Sequence, residues 1–237
     1  LNPTSGNRCL TPGGLSLLPG PNPPVENDDL VITFPGYSGQ AVKAADATVD
    51  FRAVHGVMVV FPQTAECAFQ GTAIIGRSAL QTADGPVSVG QAWITSAGLT
   101  RRVVSHELGH GLGLHHAHWL YCGAQAIGAN CRPIDAGNPL DTMGRGSGHV
   151  GAPFKERLQW LAPEQIKTVS GGAQVHELLP LSQAGPGVRA LKIPRLKTGN
   201  AYYVQYQPRM GFDSAAIPAE DAAGALITVA SGSGSPL

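Results

Sequence analysis

Charge is scarce in this sequence and favours neither sign. Only 14% of its 237 residues are Asp, Glu, Lys or Arg, and 16 basic residues balance 16 acidic ones; soluble domains usually carry about 25%. No run of like charge occurs, so the chain lacks the basic stripe that grips a phosphate backbone, and nucleic acid is not expected as a partner. Long apolar runs are missing too. A stretch such as Gly56 to Phe61 is about the longest, far short of the ~18 residues a membrane span requires, so no span is expected. The chain opens Leu1-Asn2-Pro3-Thr4 without a basic-then-apolar leader, which suits a mature form whose secretion signal has been removed. What the sequence does hold in quantity is Gly (31) and Pro (19), a balance that favours turns and strands over long solvated helices. The length allows one large domain or two small ones, each able to bury a core.

Cysteine is sparse as well. Cys9, Cys67, Cys122 and Cys131 form no Cys-x-x-Cys pair, which argues against a zinc ribbon or a thioredoxin-like site. Disulfides are the simpler reading. Cys122 and Cys131 enclose a Gly/Ala-rich loop short enough to close at small cost, which leaves Cys9 to pair with Cys67. Four buried free thiols are the alternative. The disulfide reading implies an oxidising compartment, extracellular or periplasmic.

Along the chain, residues 1–28 are rich in Pro, Gly and Asn and read as an irregular arm, followed by a strand over Leu30 to Phe34. Gln40 to Phe51 carries Val42, Ala45 and Val49 at helical spacing, and strands are expected over Val57 to Phe61, Ala73 to Ile75 and Val87 to Ile94. Thr100 can cap a helix in which Val104, Leu108 and Leu112 recur every four residues and Gly113 supplies a left-handed stop. A turn-rich stretch leads to Pro153, then to a helix with Phe154, Leu158 and Leu161 on one face, broken at Pro163. Val175 to Leu181, Val188 to Ile193, Tyr202 to Tyr206 and Ala225 to Val229 read as four further strands. No internal repeat is present.

The chemistry is concentrated in His106-Glu107-Leu108-Gly109-His110-Gly111-Leu112-Gly113-Leu114-His115-His116. At 3.6 residues per turn, His106 and His110 leave one helical face with room for a tetrahedral ion between their rings. Glu107 stands about 100° further round the helix, outside the ligand shell but within reach of a water on that ion, where a general base belongs. Gly113 can take positive φ at no steric cost and turn the chain so that His116 swings back as a third nitrogen ligand, leaving a fourth position for water. His115 and His118 stand out of register and read as neighbours of the ligand set or surface groups. His149 reads as a loop residue.

This segment resembles the His-Glu-x-x-His-x-x-Gly-x-x-His signature of the metzincin zinc endopeptidases at all five specified positions. Metzincins also carry a Met-containing turn, which Asp141-Thr142-Met143-Gly144 resembles; the resemblance gives Met143 the role of an apolar floor beneath the ligand histidines. Two metzincin subfamilies place a ligand Tyr two residues after that Met, where this chain has Arg145. Among metzincins the chain is most similar to the gametolysin family, through Gly148-His149-Val150-Gly151-Ala152-Pro153-Phe154-Lys155, Leu158-Gln159-Trp160-Leu161, Ala201-Tyr202-Tyr203-Val204-Gln205-Tyr206-Gln207-Pro208 and Gly211-Phe212-Asp213. The likeness spans about residues 70 to 230 and is tightest over 103 to 161.

The fold class this implies is α+β: a metzincin-like catalytic domain over residues 1–168, with a twisted mixed sheet, an active-site helix and a Met-turn subdomain ending in a helix, then a β-rich module over 169–237. The activity it implies is hydrolysis of peptide bonds in a protein or peptide substrate, a cell-wall or extracellular-matrix glycoprotein being one form. One zinc ion on His106, His110 and His116 would lower the pKa of bound water from ~15.7 toward ~7 and polarise the scissile carbonyl, with Glu107 passing the proton to the leaving amine. The substrate would lie along an edge strand, expected from position to include Gln91, Ala92, Trp93 and Ile94. The rival readings are a catalytically inactive binding or adhesion relative, and a zinc hydrolase of peptidoglycan amides. Cys9 has a second reading as a thiolate that occupies the open zinc position in a zymogen. Calcium has no support beyond Asp28 and Asp29, which read as a solvated turn.

Overall fold

The computed structural model describes residues 37–63, 69–124, 128–195, 198–217 and 224–230. The arm to residue 28, the strand expected over Leu30–Phe34 and the pairing of Cys9 with Cys67 lie outside the described residues. The architecture is α+β, mostly sheet with few helices. No helix among the described residues is long and apolar enough to cross a membrane. The chain divides into two compact units, Leu1–Gly113 and Leu114–Leu237.

The first unit is built on a three-stranded sheet of β1 (Gly56–Phe61), β2 (Gly71–Thr82) and β3 (Gly85–Thr95), in the order β1-β3-β2. β3 runs parallel to β1 and antiparallel to β2. Helix α1 spans Tyr37–Ala45, shorter than its apolar spacing suggests. Beyond Ala45 the polar side chains bond the local backbone instead: Thr48 Oγ1 donates to the Ala45 carbonyl, and Asp50 accepts from the Arg52 N–H to cap a short 3-10 turn. Such local bonds compete with helix continuation. Val42 still packs with Phe51, Leu80 and Val89 in one apolar cluster, and Val59 and Phe61 join Trp93 in another. Each fully buried side chain of this kind stabilises by roughly 1.5–3 kcal/mol.

β2 is far longer than the three-residue strand expected at Ala73–Ile75. Its sequence pattern is broken because the register shifts between Ala73 and Arg77, a bulge that interrupts the two-residue alternation of faces. Gln91, Ala92, Trp93 and Ile94, expected on an edge strand, are not at an edge. They lie in β3, the central strand, bonded to Val57–Val60 on one side, with Ala92, Trp93 and Ile94 also paired to β2 on the other. All four are buried, and a run buried on both faces is what a central strand carries. Among the described residues, β2 is the antiparallel edge.

The second unit holds a short hairpin of β4 (Trp119–Tyr121) and β5 (Arg132–Ile134), the helix α3 (Ala152–Arg157), and a sheet of β6 (Ile166–Thr168), β7 (Ala190–Arg195), β8 (Asn200–Tyr206) and β9 (Ala225–Ala230) in that order. Val175–Leu181, expected as a strand, is irregular, and Val175 is fully exposed. Isolated bonds rather than a ladder tie the stretch down: the Leu179 and Leu181 N–H groups donate to the Val188 and Tyr206 carbonyls, and Lys155 Nζ donates to the Leu181 carbonyl. The strand beside β7 is β6 instead, too short to show a pattern. The boundary expected near residue 168 falls inside this unit, because the sheet shares its core with the segment before it: Ala152 and Leu161 pack with Leu181, Ala190, Ala201, Tyr203 and Ala230. Gln205 of β8 reinforces this join, its Oε1 accepting from the Ala152 N–H at 2.7 Å.

Candidate metal centre

Helix α2 (Arg101–Gly111) presents the first two histidines. Thr100 begins it as expected, its side chain accepting from the Val103 N–H. The apolar repeat that announces the helix is not its packed face. Leu108 and Leu112 are about half exposed, whereas Val103, His106, Glu107, Gly109 and His110 are buried. α2 packs against β2 and β3 through small residues. A Cβ on Gly90 would stand 3.2 Å from the Gly111 Cα, and one on Gly71 would stand 2.6 Å from Val103 and 2.8 Å from Glu107 Oε1. Beside Val103 this packed face buries three polar side chains, His106, Glu107 and His110, and buried titratable groups so clustered make it the candidate site.

The Nε2 atoms of His106 and His110 are 3.1 Å apart. Two imidazole nitrogens on a tetrahedral ion, at bond lengths of ~2.0–2.1 Å, would be separated by about 3.3 Å. Gly113 has φ 87°, the positive value expected of a left-handed stop, and its N–H donates to the His110 carbonyl to close the helix. Three residues on, His116 completes the set: His106, His110 and His116 each offer a ligand atom, and these all lie within 4.8 Å of one another. Three converging imidazoles fit a divalent ion of borderline softness. His115 is exposed, and neither His118 nor His149 joins a group of three among the described residues.

Glu107 is buried against the start of β2, and burial pushes its carboxyl up to about 7, with Arg102 pulling the other way. An acid poised there can both accept and return a proton at neutral pH.

Met143 is fully buried in a cluster with Leu114, Ala117, Val150 and Phe154. Its turn is tied to the chain just after His116: the Ala117 N–H donates to the Met143 carbonyl, and the Asn138 N–H donates to the Ala117 carbonyl. Asp141 braces the turn from within, its two oxygens accepting from the Met143 and Gly151 N–H groups at 2.7 Å each. Burial nevertheless pushes Asp141 up to about 6.

Cys122 and Cys131 form the expected disulfide, across the hairpin ends. The sequence gives no sign of Asp135, which follows β5. His116 Nδ1 lies 2.8 Å from Asp135 Oδ1, and His118 Nδ1 lies 3.2 Å from the same oxygen. Slight burial pushes Asp135 up, but the hydrogen bond and charge of His116, with His118 adding, hold it below its usual range. The signal that could have located it is the Cys122–Cys131 pairing, which fixes the register of the two strands. In comparisons with known proteins, no family model, no curated protein and no solved structure matches this chain.

Proposed function

We propose that this chain is a zinc-dependent endopeptidase of the metzincin type, similar to gametolysins, acting in an extracellular or periplasmic setting. The observation that carries the reading is the convergence of His106, His110 and His116, with a buried Glu107 next in sequence to the first of them. A zinc ion bound there would supply Lewis acidity, polarising a peptide carbonyl and acidifying water. His106 and His110 hold their rings in place through a capped helix, and His116 through the turn at Gly113. Glu107 takes the proton of the attacking water at its carboxylate and delivers it to the departing amine, a role typically worth ~10²- to 10⁴-fold. Its burial beside Gly71 keeps bulk water from levelling its basicity. The strand that would receive an extended peptide is β2, whose outer edge is unpaired among the described residues and whose first residue touches Glu107. Pairing along that edge would align the substrate backbone. The Cys122–Cys131 bridge suits the oxidising setting.

The test is degradation of casein by the purified protein, with and without a chelator, after zinc is restored, and in Glu107→Ala. The reading expects proteolysis that the chelator abolishes and zinc restores, and a Glu107→Ala protein that keeps its zinc but loses activity. Cleavage of peptidoglycan amides without casein degradation would assign the other hydrolase, and zinc binding with neither activity would assign a binding module.

A further inference from the structure

The three-residue ladder of the β4–β5 hairpin pairs Trp119 with Ile134, Leu120 with Pro133 and Tyr121 with Arg132. One step beyond Tyr121–Arg132 the register sets Cys122 opposite Cys131, where the disulfide forms. One step beyond Trp119–Ile134 it sets His118 opposite Asp135. Residues two apart on an extended strand share a face, so His116 and His118 address the same carboxylate, and Asp135 Oδ1 stands 2.8 Å and 3.2 Å from their Nδ1 atoms. The shorter contact is a hydrogen bond; the His118 nitrogen makes none among the described residues. An ionised carboxylate only accepts hydrogen bonds, so His116 donates from Nδ1, and its lone pair is on Nε2. A ladder of three pairs is too short to hold itself in water, which gives the disulfide a purpose: it holds the strand from which Asp135 reaches back.

We propose that Asp135 is a positioning residue that fixes the tautomer and ring orientation of His116 so that Nε2 is the metal-binding nitrogen, with the disulfide-closed hairpin as its brace. The inference rests on the three-imidazole reading of the site. Carboxylates on the far nitrogen of a ligand histidine commonly contribute 10- to 100-fold in metal affinity.

The experiment compares wild type with Asp135→Ala and Asp135→Asn. Zinc affinity is read by competition with a chelating dye, and the tautomer of His116 in the metal-free protein by nitrogen-15 NMR of its ring. Expected are a 10- to 100-fold weaker zinc complex in Asp135→Ala, a smaller loss in Asp135→Asn, and loss of the Nδ1–H preference of His116. The melting of the metal-free protein should be unchanged, because Asp135 is 71% exposed. Zinc bound equally well by wild type and Asp135→Ala, or a metal-free melt that collapses with the affinity, overturns the inference alone. Wild type that takes up no zinc overturns the reading of the site and this inference with it.

Discussion

Gly71 and Glu107 lie so close that no carbon fits between them: a Cβ on Gly71 would stand 2.8 Å from Glu107 Oε1 and 2.9 Å from its Cγ, as well as 2.6 Å from Val103 Cγ1. The edge strand and Glu107 are thus set by one contact. Gly71→Ala is expected to destabilise the protein by about 1–3 kcal/mol in urea unfolding, the usual cost of overpacking. It should also lower kcat on casein with zinc content unchanged, because the added methyl displaces the carboxylate and touches no ligand. A variant as active and as stable as wild type would show that Glu107 has freedom the packing denies it.

Asp141 gives a pH signature. Its folded-state carboxyl sits at about 6 against an ordinary 3.8, raised by burial. A raised carboxyl binds its proton more tightly folded than unfolded, so its contribution is fully present below about pH 4 and is lost as pH climbs through 6. The loss is on the order of 3 kcal/mol at most. Urea midpoints measured from pH 4 to 7 should therefore fall with a component that is absent in Asp141→Asn. Parallel pH profiles for the two proteins would place the Asp141 carboxyl at an ordinary value.

The local parts of the fold were legible in the sequence, and the non-local parts were not. Thr100, the paired histidines and Gly113 act within a few residues of one another, and each takes the expected place, as does the Cys122–Cys131 bridge. Whether a strand is central or at an edge depends on partners far along the chain. Gln91–Ile94 reads the same in either place, and only its pairing to β1 and β2 decides. Leu108 and Leu112 announce a helix by their spacing but not which face packs, because α2 approaches its sheet through glycines that leave no apolar signature. Asp135 is nineteen residues from His116, and an isolated aspartate in a loop carries no pattern at all.

The Cys122–Cys131 bridge closes a loop with a sequence separation of nine residues, for which chain entropy assigns about 2–3 kcal/mol. Replacing both cysteines by serine should speed amide hydrogen exchange at 119–121 and 132–134 while leaving β7 and β8 protected, since the sheet is held by its own core. Unchanged exchange in the hairpin would mean that its ladder needs no staple.

The central claim is that His106, His110 and His116 hold one zinc ion. Elemental analysis of protein purified without chelator, alongside His110→Ala, tests it most directly. Expected are one zinc per chain in the wild-type protein, with an X-ray absorption spectrum fitted by three imidazole nitrogens at ~2.0–2.1 Å, and a marked loss of metal from the variant. A wild-type protein without stoichiometric metal, or a variant that keeps its zinc in full, would contradict it.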